Sequence, residues 1–174
     1  MMTKTIIRSV LAVIFVSVLS ASVPGSGPDA RAEIDALLTA WHKAAATADA
    51  ATYFGSMAPG AVFLGTDVTE RWTREEFEAW AAPYFQRKSA WVYFATRRSI
   101  SLSADGNTAW FDEDLISESY WPCRGSGALE KIGGVWRIRL YSLAFTIPNS
   151  VVPEIKPAVL KAFGDKVNDS SGCR

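Results

Sequence analysis

The sequence predicts an α+β fold in which helices pack on one face of an antiparallel sheet. Two observations carry this. Apolar residues in the first half recur at helical spacing, whereas the second half reads as long strands separated by turn signals. Helices followed by strands, rather than alternating with them, point to segregated layers. At 174 residues, 49% hydrophobic and 12% aromatic, the chain has length for one domain and material for a real core.

The helices come first. Ile34, Leu37, Leu38, Trp41 and Ala45 define an amphipathic helix over 32–48. Asp49 opens a shorter helix over 50–57, stopped by Pro59-Gly60. A short strand, 61–64, follows. Thr73 with Glu76 three residues on is a capping box. It starts a third helix with Phe77, Trp80, Ala81 and Tyr84 on its apolar face. Strands are then predicted at 90–102, 108–119, 124–132 and 135–147. The turns between them include Asp105-Gly106-Asn107 and Gly133-Gly134. A final helix is expected at 156–166.

The N-terminus has a different character. Lys4 and Arg8 precede an apolar run of 11 residues, Ser9 to Leu19, and the small residues Ser20-Ala21-Ser22 follow it. This is a signal-peptide pattern, and the run falls short of the roughly 20 residues a membrane span needs. The expected organisation is a signal peptide (1–22), a Pro/Gly/Ser linker (23–31), one domain (32–150) and a C-terminal extension (151–174) with a helical stretch. The expected location is the periplasm or the exterior, without stable membrane insertion after cleavage. Removal of 1–22 leaves 16 basic and 18 acidic side chains, a net charge of −2. The zero net charge of the whole chain, with no basic patch, argues against nucleic acid as a partner. In an oxidising compartment the only two cysteines, Cys123 and Cys173, have two readings: a disulfide that ties the tail to the sheet, or two unpaired thiols. Two Cys and one His are too few for a zinc site. The sequence holds no P-loop, dinucleotide fingerprint, zinc helix, EF-hand or nucleophile elbow, so no cofactor is expected.

Three segments resemble a known family: 63–72 (FLGTDVTERW), 109–115 (AWFDEDL) and 125–149, which joins the Gly-Gly turn, a Trp-x-Ile strand and a terminal Pro-Asn. In their order and spacing they are similar to SnoaL-like proteins of the nuclear transport factor 2-like superfamily. The resemblance implies a cone, a bent sheet wrapped around the N-terminal helices, with a pocket at its wide end and homodimers formed through the outer sheet face. It does not imply one chemistry. Isomerases, cyclases, dehydratases and non-catalytic assembly modules share the fold. The ketosteroid isomerase base and tyrosine fall on Gly65 and Trp41, neither of which can do that work. Where close relatives often carry a histidine on the last strand, this chain has Ser142.

The candidate site residues follow. Asp112, Glu113 and Asp114 alternate faces along one strand. Asp112 and Asp114 share a face with Trp110 and Ile116, and Glu113 shares one with Phe111 and Leu115. Asp112 is the preferred acid or base, against pairing of these acids with Arg97, Arg98, Arg124 or Arg137. Asp67 is the second candidate, at the pocket mouth or as the cap of a turn. Tyr53, Trp72, Tyr84 and Trp110 are expected to line an apolar pocket, with Arg124 and Ser142 as polar contacts. His42 follows Trp41 on the first helix and is expected at the surface or rim. Trp136 and Ile138 are expected to face the first helix. Arg137, Arg139 and Tyr141 are expected on the outer face, at a dimer interface. Three readings follow: an exported domain that binds a small apolar or amphipathic molecule, a cofactor-independent acid/base enzyme, and an assembly module with a vestigial pocket.

Overall fold

A computed structural model describes residues 28–120 and 122–164. Helices α1 (Pro28–Ala46) and α2 (Ala50–Gly55) lead into β1 (Met57–Leu64), the short β2 (Arg71–Thr73) and α3 (Arg74–Phe85). Four strands follow: β3 (Phe94–Leu102), β4 (Thr108–Ile116), β5 (Cys123–Ile132) and β6 (Val135–Phe145). A 3-10 turn (Asn149–Val151) and α4 (Val152–Phe163) end the described chain. The six strands form one curved, unclosed sheet in the order β2-β1-β6-β5-β4-β3. Only β1 and β6 run parallel; the other neighbours are antiparallel.

The local signals act as their chemistry requires. Asp49 Oδ1 accepts from the Thr52 amide at 3.0 Å and starts α2. At α3, Thr73 Oγ1 accepts from the Glu76 amide (3.3 Å) and Glu76 Oε2 accepts from the Thr73 amide (2.8 Å), so both exposed donors are satisfied. Helix α1 begins at Pro28, inside the predicted linker. The segment read above as a signal peptide and Cys173 lie outside the described residues, and Cys123 is buried. Among the described helices none is long and apolar enough to cross a membrane.

Three departures from the predicted elements matter for the site. First, β2 pairs with β1 through only three residues. The connecting turn closes through the Gly65 amide on Glu70 O at 2.8 Å. A Cβ on Gly65 would lie 2.2 Å from Glu70 Oε2, so this approach requires glycine. Second, residues 91–93 are not strand; Trp91 and Tyr93 turn into the space between α3 and the sheet. Third, β6 carries a bulge. Leu129 pairs with Ile138 but Ala128 pairs with Leu140, leaving Arg139 as the extra residue. Trp136 and Ile138 face the core before the bulge, as expected, and Tyr141 and Leu143 do so after it. The phase change corrects the expected outward placement of Tyr141, which is 2% exposed. It also turns Ser142 away from the concave side.

The core packs into the narrow part of the concavity. Trp41 stacks on Tyr53 with centroids 4.5 Å apart, and Phe63 stacks on Phe77 at 4.0 Å. Full burial of side chains of this size stabilises by about 2–3 kcal/mol each. These contacts seat α1, α2 and α3 against the sheet.

Candidate functional site

The helices do not fill the cone. A cavity of about 450 Å³ remains between α1, α3 and the sheet, within the range of small-molecule sites. Trp72, Phe77, Trp80, Tyr84 and Trp91 wall it with aromatic surface, and Trp41, His42 and Tyr141 form its most buried end. Trp72 stacks on Trp80 at 4.9 Å, and Trp80 on Tyr84 at 5.0 Å, giving one continuous aromatic wall. Arg87 lies 4.6 Å over the Tyr84 ring at the opening.

Behind the buried end sits Glu113, with no exposed surface. Its inward face follows from β4, where Ala109, Phe111 and Leu115 are also buried. Three elements bring donors to its two oxygens. His42 Nε2, from α1, lies 2.7 Å from Oε1. The Tyr141 hydroxyl, from β6, donates to the same oxygen at 2.9 Å. From β3, Arg98 Nε and Nη2 both lie 2.8 Å from Oε2. Arg98 Nη1 reaches on to α1, where it donates to Asp35 Oδ1 (2.6 Å), Asp35 O (3.0 Å) and Thr39 Oγ1 (3.1 Å). Gly125, opposite Glu113 on β5, makes the convergence possible. A Cβ there would lie 2.3 Å from Tyr141 Oη and 2.7 Å from Glu113 Oε1.

The electrostatics follow from this arrangement. Burial pushes the Glu113 carboxyl up, but the His42 hydrogen bond and charge and the Arg98 guanidinium outweigh burial and hold it below the ordinary carboxylate range. Glu113 is therefore ionised and acts only as an acceptor. Burial, then the adjacent Glu113 charge, drives the Tyr141 phenol well above its usual value, so it stays protonated. Because Glu113 accepts, His42 Nε2 carries the proton of that bond. In the neutral ring Nδ1 is then an acceptor, and it has no partner among the described residues. An oriented imidazole with one committed and one open nitrogen is the arrangement of a general base.

The predicted residues divide between two surfaces. Tyr53, Trp72 and Tyr84 line the cavity. Asp112 does not enter it: strand alternation places it on the convex face, where Arg97 Nη2 donates to its Oδ2 at 3.0 Å. Arg124 is on that face too, 3.6 Å from Asp114 Oδ1. Trp110 is 53% exposed there, and Ser142, beyond the bulge, is not among the cavity walls. Asp67 stands in the exposed turn after β1. Its Oδ1 accepts from Thr69 Oγ1 (2.6 Å) and the Thr69 amide (2.8 Å), and these bonds hold its carboxyl below the usual range.

His42 is the largest correction, at 7% exposed rather than at the rim. Ile34, Leu38, Trp41, His42 and Ala45 are spaced i, i+4, i+7, i+8 and i+11, so they share one stripe. That stripe is wide enough to hold two consecutive residues. Glu113 also had a signal, since its neighbours on alternate positions are more uniformly apolar than those of Asp112. Among the described residues no group of three or more His, Cys, Asp or Glu gathers to hold a metal.

A model of the SnoaL-like domain matches residues 34–148. Among solved structures, the chain is similar to a nuclear transport factor 2-like protein of unknown function from Pseudomonas putida KT2440. That match has a TM-score of 0.60 and 13% identity over 73% of this chain and 94% of that one. It is also similar to a candidate dehydratase of the nuclear transport factor 2-like family from Streptomyces avermitilis (TM-score 0.59, 14% identity, 70% of this chain and 100% of that one). A third match is a protein of unknown function with a cystatin-like fold from Nostoc punctiforme (0.56, 13%, 70% and 95%). At such identities the likeness is one of fold. No curated protein matches.

Proposed function

The chain belongs to the SnoaL-like domain family, and from that premise we propose that its cone binds a small, largely apolar molecule on which His42 acts as general base, without a cofactor. One observation carries the reading: the 2.7 Å contact of His42 Nε2 with the buried, ionised Glu113 at the closed end of an aromatic cavity. In the reaction, His42 Nδ1 takes a proton from the bound molecule while Nε2–H stays on Glu113. The carboxylate steadies the imidazolium that forms, and the same nitrogen returns the proton to a leaving group or to another carbon. Elimination of water and isomerisation both need this proton relay, and the aromatic walls supply binding and exclusion of water.

An open cavity of about 450 Å³ argues against a vestigial pocket. Two further readings accompany the main one. The N-terminal pattern supports export. The exposed Phe94, Trp110 and Ile116 on the convex face, beside its arginine–aspartate pairs, support pairing of two copies through that face.

The test begins with native mass spectrometry of protein purified from its own cell, which names the molecule that occupies the cone. Wild-type protein should convert that molecule, while His42→Gln should still bind it and lose turnover by at least about a hundredfold. Full turnover by His42→Gln would refute the base assignment. Binding without conversion by the wild type would leave a binding protein.

A further inference from the structure

Among the described α-helices, only α4 has no buried residue. It lies past residue 148, where the match to the SnoaL-like domain ends. Val152, Ile155, Val159 and Phe163 recur at i, i+3, i+7 and i+11, with Leu160 beside them, so α4 carries an apolar stripe. All of these but Ile155 are exposed. An isolated helix of 12 residues is marginal in water, and Pro157 removes one of its backbone bonds. The stripe therefore needs a surface. The convex face offers one. Strand pairing sets Trp110, Ala128, Leu140 and Val62 side by side across β4, β5, β6 and β1. Their strand neighbours Ala109, Phe111, Leu129, Tyr141, Ala61 and Phe63 are buried, so this apolar row faces outward. The row crosses three strand spacings, about 14 Å, and the stripe from Val152 to Phe163 rises about 16 Å. Charge agrees with the fit: helical spacing puts Lys156 beside Val152, and Asp112 stands two residues from Trp110 on the same face of β4. A single chain leaves the stripe and Trp110 both open to solvent.

We infer that α4 seats its apolar stripe on the Trp110 row of a second copy, which returns its own α4 in a two-fold exchange. This rests on the reading that two copies pair through the convex face, and it names the segment that pairs them. Area favours the exchange over contact of one α4 with another. Two stripes laid together would bury only about 600 Å² of exposed surface, below the size of a specific interface. Helix on sheet, made twice, brings the total to about 1,100 Å², past the roughly 1,000 Å² that such an interface needs.

The experiment measures the dimer dissociation constant by analytical ultracentrifugation for wild type, Val159→Glu, Trp110→Glu and Glu154→Lys. The first two substitutions fall on the exposed stripe and row, and the third on the opposite side of α4. Wild type and Glu154→Lys should be dimers of equal strength, while Val159→Glu and Trp110→Glu should each weaken the dimer by about tenfold or more. Mixing those two variants should restore dimers, since one intact helix then meets one intact row. A mixture that stays monomeric overturns the exchange. Weakening by Trp110→Glu alone also overturns it and leaves pairing of the bare sheet faces. Weakening by Val159→Glu alone, or a dimer that neither substitution weakens, overturns the exchange and the convex-face reading together. So does a wild type that stays monomeric, including one that sediments with phosphatidylglycerol vesicles as a membrane-seeking helix would.

Discussion

Gly125→Ala tests the construction of the closed end most directly. The added methyl would lie 2.3 Å from Tyr141 Oη and 2.7 Å from Glu113 Oε1. Both atoms belong to the 2.9 Å bond between those side chains, so the methyl occupies the place where the bond forms. Loss of a hydrogen bond to a buried charge, plus the shift that overpacking forces, comes to about 3 kcal/mol. For a domain of this size the melting temperature should fall by roughly 10 °C. Urea and thermal unfolding followed by circular dichroism give the value, and the mechanism is read from a double-mutant cycle. In a Tyr141→Phe background the closest clash is gone, so Gly125→Ala should cost about half as much or less. A coupling above about 1 kcal/mol supports the account; additivity within about 0.5 kcal/mol would refute it, because the methyl would then be acting through the strand backbone instead.

Glu113 has a depressed folded-state pKa, so its contribution is complete above its unfolded value of about 4.3 and is lost as pH falls through the folded value. Urea midpoints of wild type should therefore drop on acidification more steeply than those of Glu113→Gln, and parallel curves would contradict this. Arg98→Met leaves the buried carboxylate short of its cation and should cost about 3–5 kcal/mol. Arg97→Ala, on the exposed convex face, should leave the unfolding midpoint unchanged within error. Thr73→Ala removes one half of the capping box and should cost about 1 kcal/mol with no change in ligand binding.

Most of the architecture was legible because it rests on local chemistry. The helical stripe of α1, the Thr73–Glu76 box and the turns at Asp105-Gly106 and Gly133-Gly134 are written in adjacent residues. β2 was not, since three residues pair only because Gly65 and Glu70 close a particular turn. The walls of the site, Tyr53, Trp72 and Tyr84, could be picked from aromatic placement alone. Its chemical centre could not, because it depends on one binary choice per element. On β4 the alternation was plain, but the face that turns inward decided between Asp112 and Glu113. On β6 the Arg139 bulge reversed the alternation midway, exchanging Tyr141 for Ser142. On α1 the width of the stripe admitted His42 beside Trp41. Gly125 is the residue from which the convergence was most nearly readable, as a glycine in the middle of a strand marks a close approach.

Three acids in succession make β4 a strand with no obvious zero. Slid by one residue, it would still offer a carboxylate to every arginine nearby, so its charges alone set no alignment and the buried Ala109, Phe111 and Leu115 carry most of that choice. Glu113 breaks that degeneracy by length. Its side chain is one methylene longer than those of Asp112 and Asp114, and it alone meets donors from α1, β3 and β6 together. A slipped strand would bury an aspartate that falls short of them, in a space where an unmatched charge is costly. The carboxylate that orients His42 thus also acts as an alignment gauge for the sheet.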